Sequence, residues 1–144
     1  MANVIPDSFK TDLLKGSFNF ASSGGSTFKL ALYTDISGLT TSTTAFTATN
    51  EVSTSGTNYS SGGNELTRNG VSISSNIAFV DFADLTFSSV TLSAVGALIY
   101  KSGGSNEAVL VLDFGGTKTA TNGDFVVQFP TASSSAAIIR LGNA

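Results

Sequence analysis

The sequence predicts an all-β fold, an antiparallel β-sandwich of jelly-roll or Ig-like kind, with one short N-terminal helix. Three observations point there. After Gly16 the apolar residues recur with period two, as on half-buried strands. The apolar stretches are short and are separated by Gly/Ser/Asn-rich turns, the spacing of sandwiches and barrels. Strands alternating with crossover helices, which an α/β fold needs, are missing. At 144 residues the chain suffices for one domain with its own core, and 41% apolar residues argue for folding over disorder. The expected organisation is an N-terminal arm over residues 1–26 and a single sandwich domain over residues 27–144. That domain carries a long polar insertion at about 38–70.

The helix comes first. Asp7 or Ser8 can cap it, Phe9, Leu13 and Leu14 give an apolar face, and Gly16 supplies a stop. About two turns are too few to be stable alone in water, so this helix must dock on the body of the subunit or on a neighbour. In Thr27–Thr34, Phe28, Leu30 and Leu32 face one way and Lys29, Ala31 and Tyr33 the other. From Gly38 to Gly70 the chain is polar and Thr-rich, and a loop of that length is either functional or mobile. Val71, Ile73, Ile77 and Phe79 alternate weakly. In Asp84–Leu92, Leu85 and Phe87 share a face, then Val90 and Leu92 after a one-residue slip; the slip at Ser88-Ser89 suits a β-bulge. Ala94–Lys101 and Glu107–Phe114 flank Ser102-Gly103-Gly104-Ser105-Asn106, which reads as a hairpin loop. Val109–Leu112 is apolar on both faces, as in a central strand, and Asp124–Phe129 alternates again. Ala136–Leu141 closes the pattern with Ile139 and Leu141 inward.

Composition narrows the chemistry. The chain has no histidine, cysteine or tryptophan, and only 12% of its residues are charged. The usual acid–base group near neutral pH and the strongest side-chain nucleophile are therefore missing, and Cys/His zinc is excluded. No cofactor, no metal and no enzymatic activity are expected. A net charge of −3 with seven scattered basic residues gives no support to nucleic-acid binding. No apolar run approaches the roughly 18–20 residues of a membrane helix. The first residues show neither a basic n-region nor an apolar h-region, so the expected setting is a reducing cytoplasm. Serine and threonine, 22 and 18 residues, dominate instead, with 15 glycines.

Several motifs fail on context. Asp113-Phe114-Gly115-Gly116-Thr117-Lys118 spells the phosphate loop of actin-fold sugar kinases, but only 25 residues follow Thr119 and no α/β lobe surrounds it. As a turn after a strand, Gly-Gly needs no further explanation. A P-loop would require Lys directly after Gly, and a protein kinase its remaining signatures. Asp81 and Asp84 fall short of the six to eight oxygens calcium takes, and Asp in a turn capping its own backbone accounts for them. A glycan hydrolase would need a carboxylate pair at a cleft, which nothing in the sequence marks. Most of the eleven phenylalanines read as core. Phe18, Phe20 and Phe46 lie in Gly/Ser/Thr-rich stretches, where they either anchor on another subunit or fold back on their own.

The order of segments carries a resemblance. An opening DSFKTDLLKGSFNF is followed by the strand FKLALYTD and by ATNEVSTSGTNYSSGGNELT. VDFADLTFSSVTLSAVGALIYKS then leads to AVLVLDFGGTKTATNGDFVVQFP and AIIRL. This set resembles small β-rich virion structural proteins of tailed bacteriophages, of cyanophage and marine-phage type, along nearly the whole chain. The resemblance implies a structural virion protein without catalytic residues, a capsid decoration or cement protein bridging major capsid proteins. Its partners would be the major capsid protein or other virion proteins, and local three-fold positions would make it a homotrimer. The alternative is a tail- or neck-associated or receptor-binding module recognising host surface glycans. The expected partner-contact residues are Ile5, Phe9 and Leu13 in the arm and Phe46, Asn50, Glu51 and Tyr59 in the Thr/Asn-rich stretch.

Overall fold

A computed structural model describes residues 3–143, and its secondary structure follows the period-two pattern. One helix, α1 (Asp7–Leu14), precedes seven strands: β1 (Phe28–Tyr33), β2 (Asn64–Glu65), β3 (Arg68–Ser74), β4 (Ile77–Phe82), β5 (Leu85–Lys101), β6 (Ala108–Val127) and β7 (Ile139–Leu141). They form two antiparallel sheets, ordered β2-β1-β5-β6 and β3-β4-β7. The result is an all-β sandwich with a short N-terminal helix.

The helix starts differently from expectation. Pro6, with φ −61°, stands at the N-cap, and no side chain caps the helix. Proline's fixed φ leads the chain into the first turn without a capping oxygen. Asp7 and Ser8 therefore lie inside the helix; the Asp7 N–H donates to the Thr41 carbonyl and the Ser8 hydroxyl to the Thr43 carbonyl. Gly16, at φ +80°, ends the helix as expected, and the Ser17 N–H closes back on the Asp12 carbonyl. Phe9 is buried and Leu13 half-buried, whereas Leu14 is 82% exposed. Five positions after Phe9, Leu14 lies roughly 140° around the helix axis and points away from the core.

The expected pairs of short strands are fused. Asp84–Leu92 and Ala94–Lys101 lie within β5, and most of Glu107–Phe129 lies within β6. Bulges, not turns, separate their halves. The slip at Ser88-Ser89 is such a bulge: Phe87 faces Phe125 and Val90 faces Gly123, and Ser89 takes φ +54°. A larger one lies opposite Val95, where Ala94 faces Lys118 and Gly96 faces Asp113. The Gly115-Gly116 pair sits in that bulge inside the strand and does not turn the chain. The Asp113 carboxylate accepts the Gly115 N–H at 2.8 Å. That bond holds the half-buried Asp113 below the usual carboxylate range.

The four-stranded sheet is apolar on both faces. Leu30, Leu32, Phe87, Leu92, Ile99, Leu110 and Leu112 meet the second sheet and the arm in the main core. On the opposite face Ala31, Tyr33, Leu98, Tyr100 and Val111 form a second buried cluster with Ile36 and Leu39. Segment 34–52 lies over that face. It is tied down by short bridges, Tyr33 to Glu51 and Ala45 to Glu107. Apolarity on both faces of Val109–Leu112 therefore marks a covered strand and not a central one: β5 is central, and β6 is the edge, bridged at Val111 by Val4.

The arm completes the main core. Phe18 and Phe20, open to either reading in the sequence, fold back and are buried. The Phe20 ring stacks on Phe28 at 4.6 Å between centroids and meets Phe82 edge-on at 6.1 Å. Lys101 donates to the Ser17 carbonyl at 2.7 Å and holds this turn against β5.

Candidate partner-contact surfaces

The seven residues expected at a partner contact occupy three environments. Phe9 (2% exposed) and Tyr59 (3%) belong to this chain's own core. Ile5, Leu13, Phe46 and Glu51 are half-buried, and Asn50 alone is exposed. The Phe46 ring stacks on Tyr100 at 4.8 Å, and the Phe46 N–H donates to the Asn106 carbonyl. Ile5 lines a cleft of about 340 Å³ with Leu110, Phe114 and Phe129, where the two sheets part beside β6. Asn50, at φ +64°, presents its carbonyl to the Thr34 N–H and hydroxyl. The side chains of Phe9 and Tyr59 thus serve intrachain packing.

Glu51 and Tyr59 do come together, in a network that organises the polar insertion. The Glu51 carboxylate accepts the Tyr59 hydroxyl at 2.8 Å, the Gly62 N–H at 2.6 Å and the Ser61 hydroxyl at 3.0 Å. The Tyr59 hydroxyl in turn accepts the Leu32 N–H at 2.9 Å, beyond the reach of β2 on the β1 edge. Tyr100 donates to the Gly62 carbonyl and Tyr33 to the Thr47 carbonyl. All three tyrosines of the chain are held above their ordinary pKa near 10, first by burial and then by the Glu51 charge. The backbone permits this closure because Gly63, at φ +75°, abuts Leu30, whose carbonyl a Cβ would overlap. The insertion is therefore packed, with Leu39, Val52, Tyr59 and Leu66 all buried.

Among the described residues two surfaces stand open, and of the residues expected at a partner contact only Leu13 borders one of them. The first is polar. Beyond the edge of segment 34–52, the outer face of the β5–β6 ribbon exposes Thr86, Thr91, Ser93, Thr119 and Thr121. Ser93 and Thr119 face each other across the ladder with hydroxyls 2.7 Å apart, and the Thr91 hydroxyl accepts the Asn122 N–H. The signal was the alternation itself: threonines at 117, 119 and 121 beside the buried Ala120.

The second is apolar. In the three-stranded sheet, Val71, Val80 and Ile139 form one cross-strand row and Ile73, Ala78 and Leu141 the next. The first row reaches the core through Val80 and Ile139, while the second projects past it, with Ile73 74% and Leu141 60% exposed. A groove of about 300 Å³ opens there, floored by Phe18 and Phe20 and walled by Leu13, Val71 and Leu141. The expectation that Leu141 points inward holds for its face of the sheet but not for its burial, because no layer covers that end.

The carboxylates near β4 have local roles. Asp84 accepts the Phe129 N–H at 2.8 Å, forty-five residues along the chain, instead of capping its own turn. Asp81 accepts an Asn69 amide N–H at 2.9 Å. Among the described residues no three His, Cys, Asp or Glu side chains converge as a metal site, and no helix is long and apolar enough to cross a membrane. The chain matches no protein-family model, no curated protein and no solved structure.

Proposed function

We propose that this chain is a structural protein of a tailed-bacteriophage particle, bound outside the head as a decoration or cement protein that bridges neighbouring major capsid proteins. The observation that carries this reading is the hydroxyl-rich outer face of the β5–β6 ribbon, where Thr91, Ser93, Thr119 and Thr121 stand exposed. It is held on the long β5–β6 ladder, so little backbone order has to be created on binding, and its short side chains lose little rotamer freedom. Weak contacts of that kind become effective when a symmetric shell repeats them. The resemblance of its segment order to small virion proteins leads to the same assignment, and the homotrimer at local three-fold positions belongs to it.

The test is to mix purified protein with heads that lack it and to image the washed particles by cryo-EM. Density at regular lattice positions is expected, with the ribbon face toward the shell. Replacing Thr91 and Thr119 together by Lys should abolish that density while leaving the melting temperature within a few degrees, since both side chains are exposed. Bare heads, or density confined to one vertex or to the tail, would overturn the cement role and favour a neck, tail or receptor-binding one.

A further inference from the structure

We infer that Asn122 is a site of spontaneous covalent modification, where the side-chain amide is lost as ammonia and a carboxylate takes its place on the ribbon. Two asparagines of the chain, Asn69 and Asn122, precede a glycine. Glycine has no Cβ, so its backbone nitrogen can approach the side-chain carbonyl carbon of the residue before it. The structure separates the two pairs.

Asn69 is restrained. Its amide N–H donates to the Asp81 carboxylate at 2.9 Å, and Ser22 of the arm stands 3.6 Å from where a Cβ on Gly70 would lie. Asn122 is exposed, and among the described residues its carboxamide makes no hydrogen bond. Around Gly123 the atom nearest to such a Cβ is the Thr121 carbonyl oxygen of the same strand, at 3.6 Å. The ladder is also interrupted there: from the Leu92–Ala120 pair to the Val90–Gly123 pair, β5 takes two steps and β6 three. Asn122 sits in that irregularity at φ +48°, a left-handed conformation that most side chains avoid, so turning out of it gives up little.

The step balances with water and hydroxide alone. Hydroxide takes the Gly123 amide proton, and the nitrogen attacks Asn122 Cγ. The bond from that nitrogen to Cγ forms, the Cγ–Nδ2 bond breaks, and Nδ2 takes a proton from water and leaves as ammonia. Water then opens the cyclic imide at one of its carbonyls, giving aspartate or isoaspartate. Either product adds one carboxylate and takes the net charge from −3 to −4. The new charge stands beside Thr91, whose hydroxyl accepts the Asn122 N–H.

The modification is read on the purified chain and does not depend on the virion reading. After incubation in mildly alkaline buffer, isoelectric focusing of the folded chain should show a species one charge more negative, and peptide mapping by mass spectrometry should find the change at Asn122. Asn69 should convert about tenfold more slowly, since its bond to Asp81 has to break first. In urea, where neither restraint survives, the two sites should convert at like rates. Asn122→Gln, whose longer side chain closes the ring poorly, should remove the acidic species without changing the melting temperature. Gly123→Ala, with space for its Cβ, should slow it. Conversion in the folded chain that begins at Asn69, runs equally at both sites or leaves Asn122 intact would overturn the inference.

Discussion

Tyr59 shows how one hydroxyl can settle the path of a long polar segment. It accepts from Leu32 on β1 and donates to Glu51, so Tyr59→Phe leaves a buried N–H without its partner and takes one of two donors from a Glu51 oxygen that keeps the Gly62 N–H. The expected loss is about 2 kcal/mol, within the range for orphaned buried groups, read as a lower urea midpoint at unchanged m-value. Gly63→Ala should cost more, about 3 kcal/mol or above, because a positive φ and an overlap with the Leu30 carbonyl coincide there. The same tyrosines set an alkaline limit. Their folded pKa values lie above the ordinary value near 10, so the stability they contribute is complete below that pH and falls as the pH rises above it. Tyrosinate absorbance should therefore stay low through pH 10 and then appear together with unfolding. A gradual three-tyrosine titration in the folded protein would refute this. Tyr59 was singled out in the sequence as a contact residue, but nothing in an isolated N-Y-S shows that its partner is Glu51, since that pairing exists only once the loop closes.

Among the elements, the long β5–β6 ribbon shows what alternation can and cannot reveal. The one-residue slip at Ser88-Ser89 was legible because Phe87 and Val90 must both face inward, and an extra residue is the only way to keep them there. The fusion of the short strands was not, since a Gly-Gly pair reads alike as a turn or as a bulge. Only the partner strand decides, here through the pairing of Lys118 with Ala94. Ser89 adopts φ +54° while its N–H approaches Asp124 and its carbonyl accepts from Asn58. All three features survive in glycine, so Ser89→Gly should be neutral or stabilising by about 0.5–1 kcal/mol in thermal unfolding. In the arm, Phe20 stacks on Phe28 and meets Phe82, and Phe20→Ala should cost about 3–5 kcal/mol by the same measurement. The arm's aromatics had no periodic context, which is why the sequence left their destination open between this subunit and a neighbour.

For the whole molecule, the fold class was legible and the layering was not. Period two and the turn residues give two antiparallel sheets. The third layer, segment 34–52 over the outer face, is built from isolated apolar residues, Ile36, Leu39 and Phe46, spaced among threonines with no period to announce them. The candidate contact surfaces were hidden for a related reason. An inward-facing strand residue and an uncovered one have the same pattern, and only the extent of the covering layer separates Val80 from Ile73. Removing part of the cover should be felt across the sheet: Ile36→Ala is expected to cost about 2–4 kcal/mol, checked by denaturant unfolding, and Gly96 beneath it would be left against an empty space.

A sheet that is apolar on both faces also sets the order of events during synthesis. Strand β6 supplies Val109, Leu110 and Leu112 to one cluster and Ala108 and Val111 to the other, and it lies in the last third of the chain. A growing chain can complete neither cluster until β6 has left the ribosome. Until then β1, β5 and the arm phenylalanines must wait as unpaired, sticky polypeptide, and their contacts close late over long sequence separations. Folding thus waits for β6 and is slow for a domain of this size, and its yield should rise at lower expression temperature, where fewer unfinished chains coexist.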